Sequence, residues 1–329
     1  MSAAAVAAAG IRLARDGDVL AEGSGLGGMW MGAIVLAGAT SLPELTTGIN
    51  AVLRGQPDLA LGDVFGACMA NMAILAAADL AMRGPRILTR VAINQALIGG
   101  LGICMAMTAS IGIVLTSDLS LGAVGLSTLV TGLIYASGMR LIHLNRDAPP
   151  FASEADNQEA SGDEISAREM RIAVIGFLIS AAVIFAATPK LIESTSQLAV
   201  QFGISEGFAG MIFLALTTTL PEASVTIGSL RAGAYSMAVG NLFGSNCFNL
   251  ATLPVLDVLD GTGALLDTVA PGLALAGLFA TLLMGLAVVE VLNKSEQRIW
   301  ILEPGPAFMI AVYFAGLAAV NAAGVMPSH

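Results

Sequence analysis

Charge is what this sequence has least of. Only 12% of its 329 residues are Asp, Glu, Lys or Arg, against roughly a quarter in a soluble domain. Basic clusters are missing as well, which removes nucleic acid as a partner. Cysteine is scarce: Cys68, Cys104 and Cys247 all fall in apolar runs. An odd, scattered set provides neither a disulfide framework nor a zinc spacing. These cysteines read as small apolar groups in helix packing. The two histidines, His143 and His329, make no ligand cluster. Nothing here implies an enzyme or a permanently bound cofactor. The opening stretch, MSAAAVAAAGIRLA, has no basic region before its apolar part, so no cleavable signal is expected.

What remains is apolar. Hydrophobic residues make up 56% of the chain, in many runs of about 20, the length that spans a bilayer as a helix. The short alternating segments of a β-barrel are absent. The expected fold is an all-α polytopic membrane protein with the lipid bilayer as its partner. Ten transmembrane helices are predicted near 1–23, 27–53, 58–82, 92–116, 119–143, 170–201, 205–230, 234–257, 266–292 and 306–325. The long polar stretch falls in the middle and holds Asp147, Glu154, Asp156, Glu159, Asp163 and Glu164. It lacks the ligand ladder and turn glycine of an EF-hand loop and reads as a solvated linker. The layout is 1–144, a first repeat; 145–169, an acidic linker; and 170–329, a second repeat.

The repeats are visible without a gap. A shift of 178 residues lays 32–79 on 210–257, and 18 of the 48 positions are identical. Among them are Thr40/Thr218, Leu42/Leu220, Pro43/Pro221, Glu44/Glu222, Gly62/Gly240, Gly66/Gly244, Asn71/Asn249 and Asp79/Asp257. Five helices per copy is an odd number, so the two copies enter the membrane in opposite directions. That is the inverted five-helix plan of many secondary transporters, with the site at the repeat interface. Arg83, Arg86, Arg90, Arg140, Arg146, Arg168, Arg171, Arg231, Lys294 and Arg298 fall on one side, and Arg54 on the other. The positive-inside rule makes the first side cytoplasmic and leaves both termini outside. The first helix aligns with only the later part of the sixth, since Met1 matches Ile179. Either it is short or the true start lies upstream.

The duplicated stretches carry TSLPE at 40–44 and TTLPE at 218–222. Proline lacks an N–H, so Pro43 frees the carbonyl of Ala39, and Pro221 that of Thr217. Free carbonyls inside a membrane are tolerated where protein, water or an ion satisfies them. Each motif then adds a glutamate, and no Lys or Arg lies in the neighbouring helices to pair Glu44 or Glu222. A buried carboxylate costs several kcal/mol unless compensated, so the compensation falls to bound cations or protons. Two carboxylates with hydroxyl and backbone oxygens suit hard ions such as Ca²⁺ or Na⁺. In the next helices Asp63, Ala67 and Asn71 are spaced by four, as are Asn241, Ser245 and Asn249. That spacing keeps each set near one face. Asp63 stands where the second copy has Asn241, and so adds a third intramembrane acid. The glycine pairs Gly62/Gly66 and Gly240/Gly244 allow close helix approach. Asp79 and Asp257 lie near helix ends and are expected to act there.

The stretches GATSLPELTTGINAVLRGQPDLALGDVFGACMAN and ALTTTLPEASVTIGSLRAGAYSMAVGNLFGSNCFN resemble the two α-repeats of the calcium/cation antiporter superfamily. The bacterial type of its sodium/calcium exchanger branch is the most similar. The resemblance covers both repeats and the ten-helix plan. It implies a Ca²⁺ site between Glu44 and Glu222, completed by the backbone oxygens of Thr40 and Thr218. It also implies flanking Na⁺ sites at Ser41, Thr219 and Ser245, with Asn71, Asn249 and Asp63 lining the same cavity. Ala67 stands where the family has serine, and Cys68 where it has asparagine; some members have Asp at the position of Asn249. The implied function is cation antiport, Na⁺/Ca²⁺ exchange first and Ca²⁺/H⁺ exchange as the alternative, by a monomer in the bacterial inner membrane. The site would switch sides only when a cation or proton neutralises it, with the first and sixth helices sliding as the gate. A passive channel would lack counter-transport. An intramembrane aspartyl protease needs a second matching Asp, which the ALGD stretch at 60–63 does not have.

Overall fold

The computed structural model describes residues 2–23, 37–81, 87, 94–115, 120–121, 124–144, 165–261, 264–293 and 304–325. The first half holds α1 (Ser2–Gly23), α2 (Ala37–Thr40), α3 (Leu42–Val52), α4 (Pro57–Ala81), α5 (Asn94–Leu115) and α6 (Leu126–Leu144). A two-residue hairpin, β1 (Ser120–Leu121) and β2 (Val124–Gly125), precedes α6, with Ser120 opposite Gly125. The second half opens with α7 (Ala167–Phe202) and α8 (Glu206–Ala209), then a π-helical turn at Gly210–Leu214. Then come α9 (Ala215–Thr218), α10 (Leu220–Ala232), α11 (Tyr235–Ala251) and α12 (Leu253–Asp260). The chain ends with α13 (Leu265–Thr268), α14 (Gly272–Leu292) and α15 (Pro304–Val325). The polar stretch 145–164 lies outside the described residues. Ser166 and Glu169 then start α7 with a reciprocal capping box, which satisfies two otherwise free N–H groups of the first turn.

Among the described residues, six helices are long and apolar enough to cross a membrane. The bent pair Glu206–Thr218 and Leu220–Arg231, at 43°, makes a seventh. The protein is therefore a multi-pass membrane protein, though this count stops short of the expected ten. Three segments make the difference. α1 carries Arg12, Arg15, Asp16, Asp18 and Glu22, too many charges for a plainly apolar span. The predicted second helix begins within 24–36, outside the described residues. The apolar part of α6, Leu126–Ile142, is short.

Burial separates inner from outer helices. In the apolar stretch of α4, 67% of residues are buried, against 22% in α7. α7 turns Leu178, Ile179, Phe185 and Val200 outward, as a helix facing lipid does. α1 packs along α7 and also covers α9 and α10, while α7 covers α3. At the centre α4 and α11 meet, backed by α5 and α14.

Glycine sets the closest approach. A β-carbon on Gly66 would sit 2.6 Å from Met211 Cα, so the backbone of α4 lies directly on the π-helical turn. The small residues read from the sequence as a packing pair serve that purpose here. Further on, Asp79 Oδ1 accepts from the Ile87 N–H at 2.6 Å, and Asp257 Oδ1 from the Leu265 N–H at 2.8 Å. Each acid thus holds the backbone eight residues ahead. Asp257 Oδ2 also accepts from the Gly125 N–H at 2.7 Å and from the Thr128 hydroxyl. The expected helix-end role of this pair is what the structure has.

Candidate cation site

Both motifs break their helices at the same place. α2 stops at Thr40 and α3 starts at Leu42; α9 stops at Thr218 and α10 starts at Leu220. The residue between has φ −85° and ψ 7° at Ser41, and φ −79° and ψ 0° at Thr219. Pro43 and Pro221 each occupy the first turn beyond the break, where a missing N–H is harmless. The glutamates follow directly, in the first turns of α3 and α10. There the positive end of the helix dipole favours their negative charge.

The predicted residues are all buried, and some of them meet across the two halves. None of Glu44, Glu222, Asp63, Thr40, Thr218, Ser41, Thr219, Ser245, Asn71 and Asn249 is above 2% exposed. Contacts cross between the halves. Ser41 Oγ donates to Glu222 Oε1 at 3.2 Å. Thr218 Oγ1 donates to Asp63 Oδ1 at 3.2 Å. Thr40 Oγ1 lies 3.2 Å from Ser245 Oγ and 3.4 Å from Asn241 Oδ1. Thr219 behaves differently from Ser41: its hydroxyl donates to Ala215 O at 2.7 Å, within its own helix.

Several polar atoms are left over. Both oxygens of Glu44, Oε2 of Glu222 and Oδ2 of Asp63 are buried without a hydrogen-bond partner. So are Oδ1 of Asn71 and both polar atoms of Asn249. A buried unpartnered carboxylate oxygen is costly, and most buried polar atoms find a partner. No base offsets these charges: among the described residues the ion pairs are Arg12–Asp16 and Lys190–Glu193, both elsewhere. Nor do three His, Cys, Asp or Glu side chains converge as a metal centre among the described residues. A cation held here would be shared by the two glutamates and by neutral oxygens, a hard-ligand set.

Four polar residues were not chosen from sequence. Asn241 neighbours Thr40, and Asn246 bonds to both Asn71 and Cys68. The hydroxyls of Thr47 and Thr226 are buried and unpartnered. They follow Glu44 by three residues and Glu222 by four, a spacing that places them on the glutamate face. That spacing was a readable signal. The π-helical turn at 210–214, one turn before Thr218, had none; such bulges recur at functional sites.

Buried acids at paired helix breaks, inside a multi-pass helical bundle, define a membrane transporter of cations rather than an enzyme. The chain belongs to the sodium/calcium exchanger protein family, whose sequence profile matches residues 1–145 and 172–320. Inner membrane protein YrbG of Escherichia coli is 23% identical over 248 residues, covering 75% of this chain and 74% of YrbG. Two solved structures share the fold. The sodium-calcium exchanger NCX_Mj, soaked with Na⁺ and Ca²⁺, has a TM-score of 0.60 at 18% identity, covering 96% of this chain and 95% of that one. Native YfkE has a TM-score of 0.62 at 16% identity, covering 98% and 91%.

Proposed function

We propose that this cation antiporter exchanges Na⁺ for Ca²⁺, and that Glu44 and Glu222 hold the Ca²⁺ together. The observation that carries the proposal is the pair of buried glutamates at matching helix breaks. Three of their four oxygens have no partner, and among the described residues no ion pair involves them. One Ca²⁺ balances two carboxylates. Thr40, Thr218, Ser41, Thr219, Ser245, Asn71, Asn249 and Asp63 supply the remaining oxygens and the flanking Na⁺ positions. The family, and a fold shared with a protein described as a sodium-calcium exchanger, support this choice of ions.

The mechanism follows from charge. An empty site with these acids is expensive to carry through a closed, dry state. Loading by Ca²⁺ or by Na⁺ removes that cost, so only the loaded forms switch sides, and exchange results. Alternating access fits two inverted five-helix repeats of ten spans, with residues 1–144 and 170–329 as the repeats and 145–169 as the linker. α1 and α7 form the sliding gate. α1 is close enough to the break that a β-carbon on Gly10 would meet the Pro221 ring. The chain works as a monomer in the bacterial inner membrane, with its termini outside and the linker in the cytoplasm.

The test is radiolabelled Ca²⁺ uptake into proteoliposomes under separate Na⁺ and H⁺ gradients. Uptake driven by Na⁺ alone, and lost in Glu44→Gln and Glu222→Gln, is expected. Uptake driven only by H⁺ would replace the coupling ion. Near-normal uptake in both variants would sink the proposal. Orientation is tested separately, with cysteines at Ser161 and Asp118 in intact cells. Only the one at Asp118 should react with impermeant reagents, and the reverse labelling would overturn the topology.

A further inference from the structure

An asparagine that ligates a cation must turn its oxygen to the ion and its NH₂ group away. The amide's two ends are nearly equal in size, so something else must choose. At Asn71 a chain of hydrogen bonds makes the choice. The Cys68 carbonyl can only accept, and Asn246 Nδ2 donates to it at 3.3 Å. That fixes the Asn246 amide, whose Oδ1 then accepts from Asn71 Nδ2 at 3.0 Å. Asn71 Oδ1 is left as a buried acceptor without a partner, on the helix face it shares with Asp63.

The second copy should contain the same arrangement, since residues 178 apart correspond. Asn249 corresponds to Asn71, and Cys68 corresponds to Asn246. The partner that would orient Asn249 is therefore Cys68, and a thiol has no amide oxygen to accept from an NH₂ group. Cys68 Sγ makes only a 3.8 Å contact to Asn246 O. Asn249 has neither its nitrogen nor its oxygen partnered.

We infer that Asn246 is a positioning residue that presents the Asn71 oxygen to the transported cation, and that Cys68 leaves the matching amide, Asn249, unoriented. The inference deepens the proposed function and rests on it. The two amides are then unequal ligands in a site that looks symmetric in sequence. Outer partners of this kind are worth about 10–100-fold in metal affinity.

The experiment measures the half-saturating Ca²⁺ concentration and maximal rate of uptake by the full chain in proteoliposomes. In the native background, Asn71→Ala should raise half-saturation about tenfold or more, and Asn249→Ala clearly less. Asn246→Ala should raise it as Asn71→Ala does, with a smaller change in maximal rate. The decisive background is the exchange Cys68→Asn with Asn246→Cys, which moves the orienting amide to the other copy. Sensitivity should reverse there, with Asn249→Ala becoming the costlier change. A merely structural clasp between α4 and α11 would not reverse it, so an unchanged order overturns the inference. If the exchanged protein does not fold, Cys68→Asn alone serves. It should make Asn249→Ala as costly as Asn71→Ala, and an unaltered Asn249→Ala effect overturns the inference. Glu44→Gln is measured alongside. If it retains uptake, the parent reading falls. If it loses uptake and the order stays fixed, only the role of Asn246 falls.

Discussion

Thr218 of the second copy donates to an acid, Asp63; Thr40 of the first copy neighbours an amide, Asn241. The two contacts are equivalent in position, yet one meets a carboxyl group and the other an amide. The serine and threonine at the helix breaks differ as well. Ser41 reaches across to Glu222, while Thr219 bonds within its own helix, and Glu44 has no hydrogen-bond partner. By contrast, the features that shape the backbone agree closely. The breaks have nearly the same dihedrals. Gly55 and Gly233, 178 apart, both take positive φ, 71° and 82°. Asp79 and Asp257 hold the same backbone N–H, eight residues on. The two copies keep the scaffold alike and let the polar side chains around it diverge.

Breaking the shared scaffold should have the largest effect. Asp257→Ala leaves the buried N–H groups of Gly125 and Leu265 without their acceptor, each worth about 1–3 kcal/mol. A loss of roughly 3–5 kcal/mol is expected, seen as a large fall in melting temperature in detergent. Asp257→Asn keeps one acceptor oxygen and should lose about half as much. Gly66→Ala comes next. Its new methyl would press on Met211 Cα, and overpacking of this kind costs about 1–3 kcal/mol. Transport should fall with stability, because the same contact sets Asp63 beside Thr218.

Removing the asymmetry is a gentler change. Asp63→Asn gives both copies an amide. Half-saturating Na⁺ for exchange should rise about tenfold, the equivalent of ~1.4 kcal/mol, while half-saturating Ca²⁺ moves little. An unchanged Na⁺ dependence would make Asp63 structural. Ala67→Ser should have the smallest effect. It restores a hydroxyl opposite Ser245, and one neutral oxygen contact worth about 0.5 kcal/mol should lower half-saturating Na⁺ about twofold. Competition between Na⁺ and radiolabelled Ca²⁺ reads both.

Much of this was legible in the sequence because duplication repeats residue identities at a fixed offset. The motif acids, the breaking prolines, the glycine pairs and the Asp79/Asp257 pair all came from that offset. The tertiary bonds did not. Proline marks a freed carbonyl, but it does not say that Ser41 will reach Glu222 while Thr219 turns back to Ala215. Nor can local pattern reveal that Asn246 bonds two residues on the other helix, because the bond joins residues 175 apart. The described residues count six or seven of the ten expected spans, partly because the charges on α1 lower its hydropathy and the apolar part of α6 is short.

The account turns on one claim, that the two glutamates share one ion. Equilibrium binding of radiolabelled Ca²⁺ to the purified protein tests it most directly. The account predicts a single Ca²⁺ per chain, lost in Glu44→Gln and lost equally in Glu222→Gln. Two Ca²⁺ per chain, with each variant keeping one, would mean separate sites in the two halves and would contradict it.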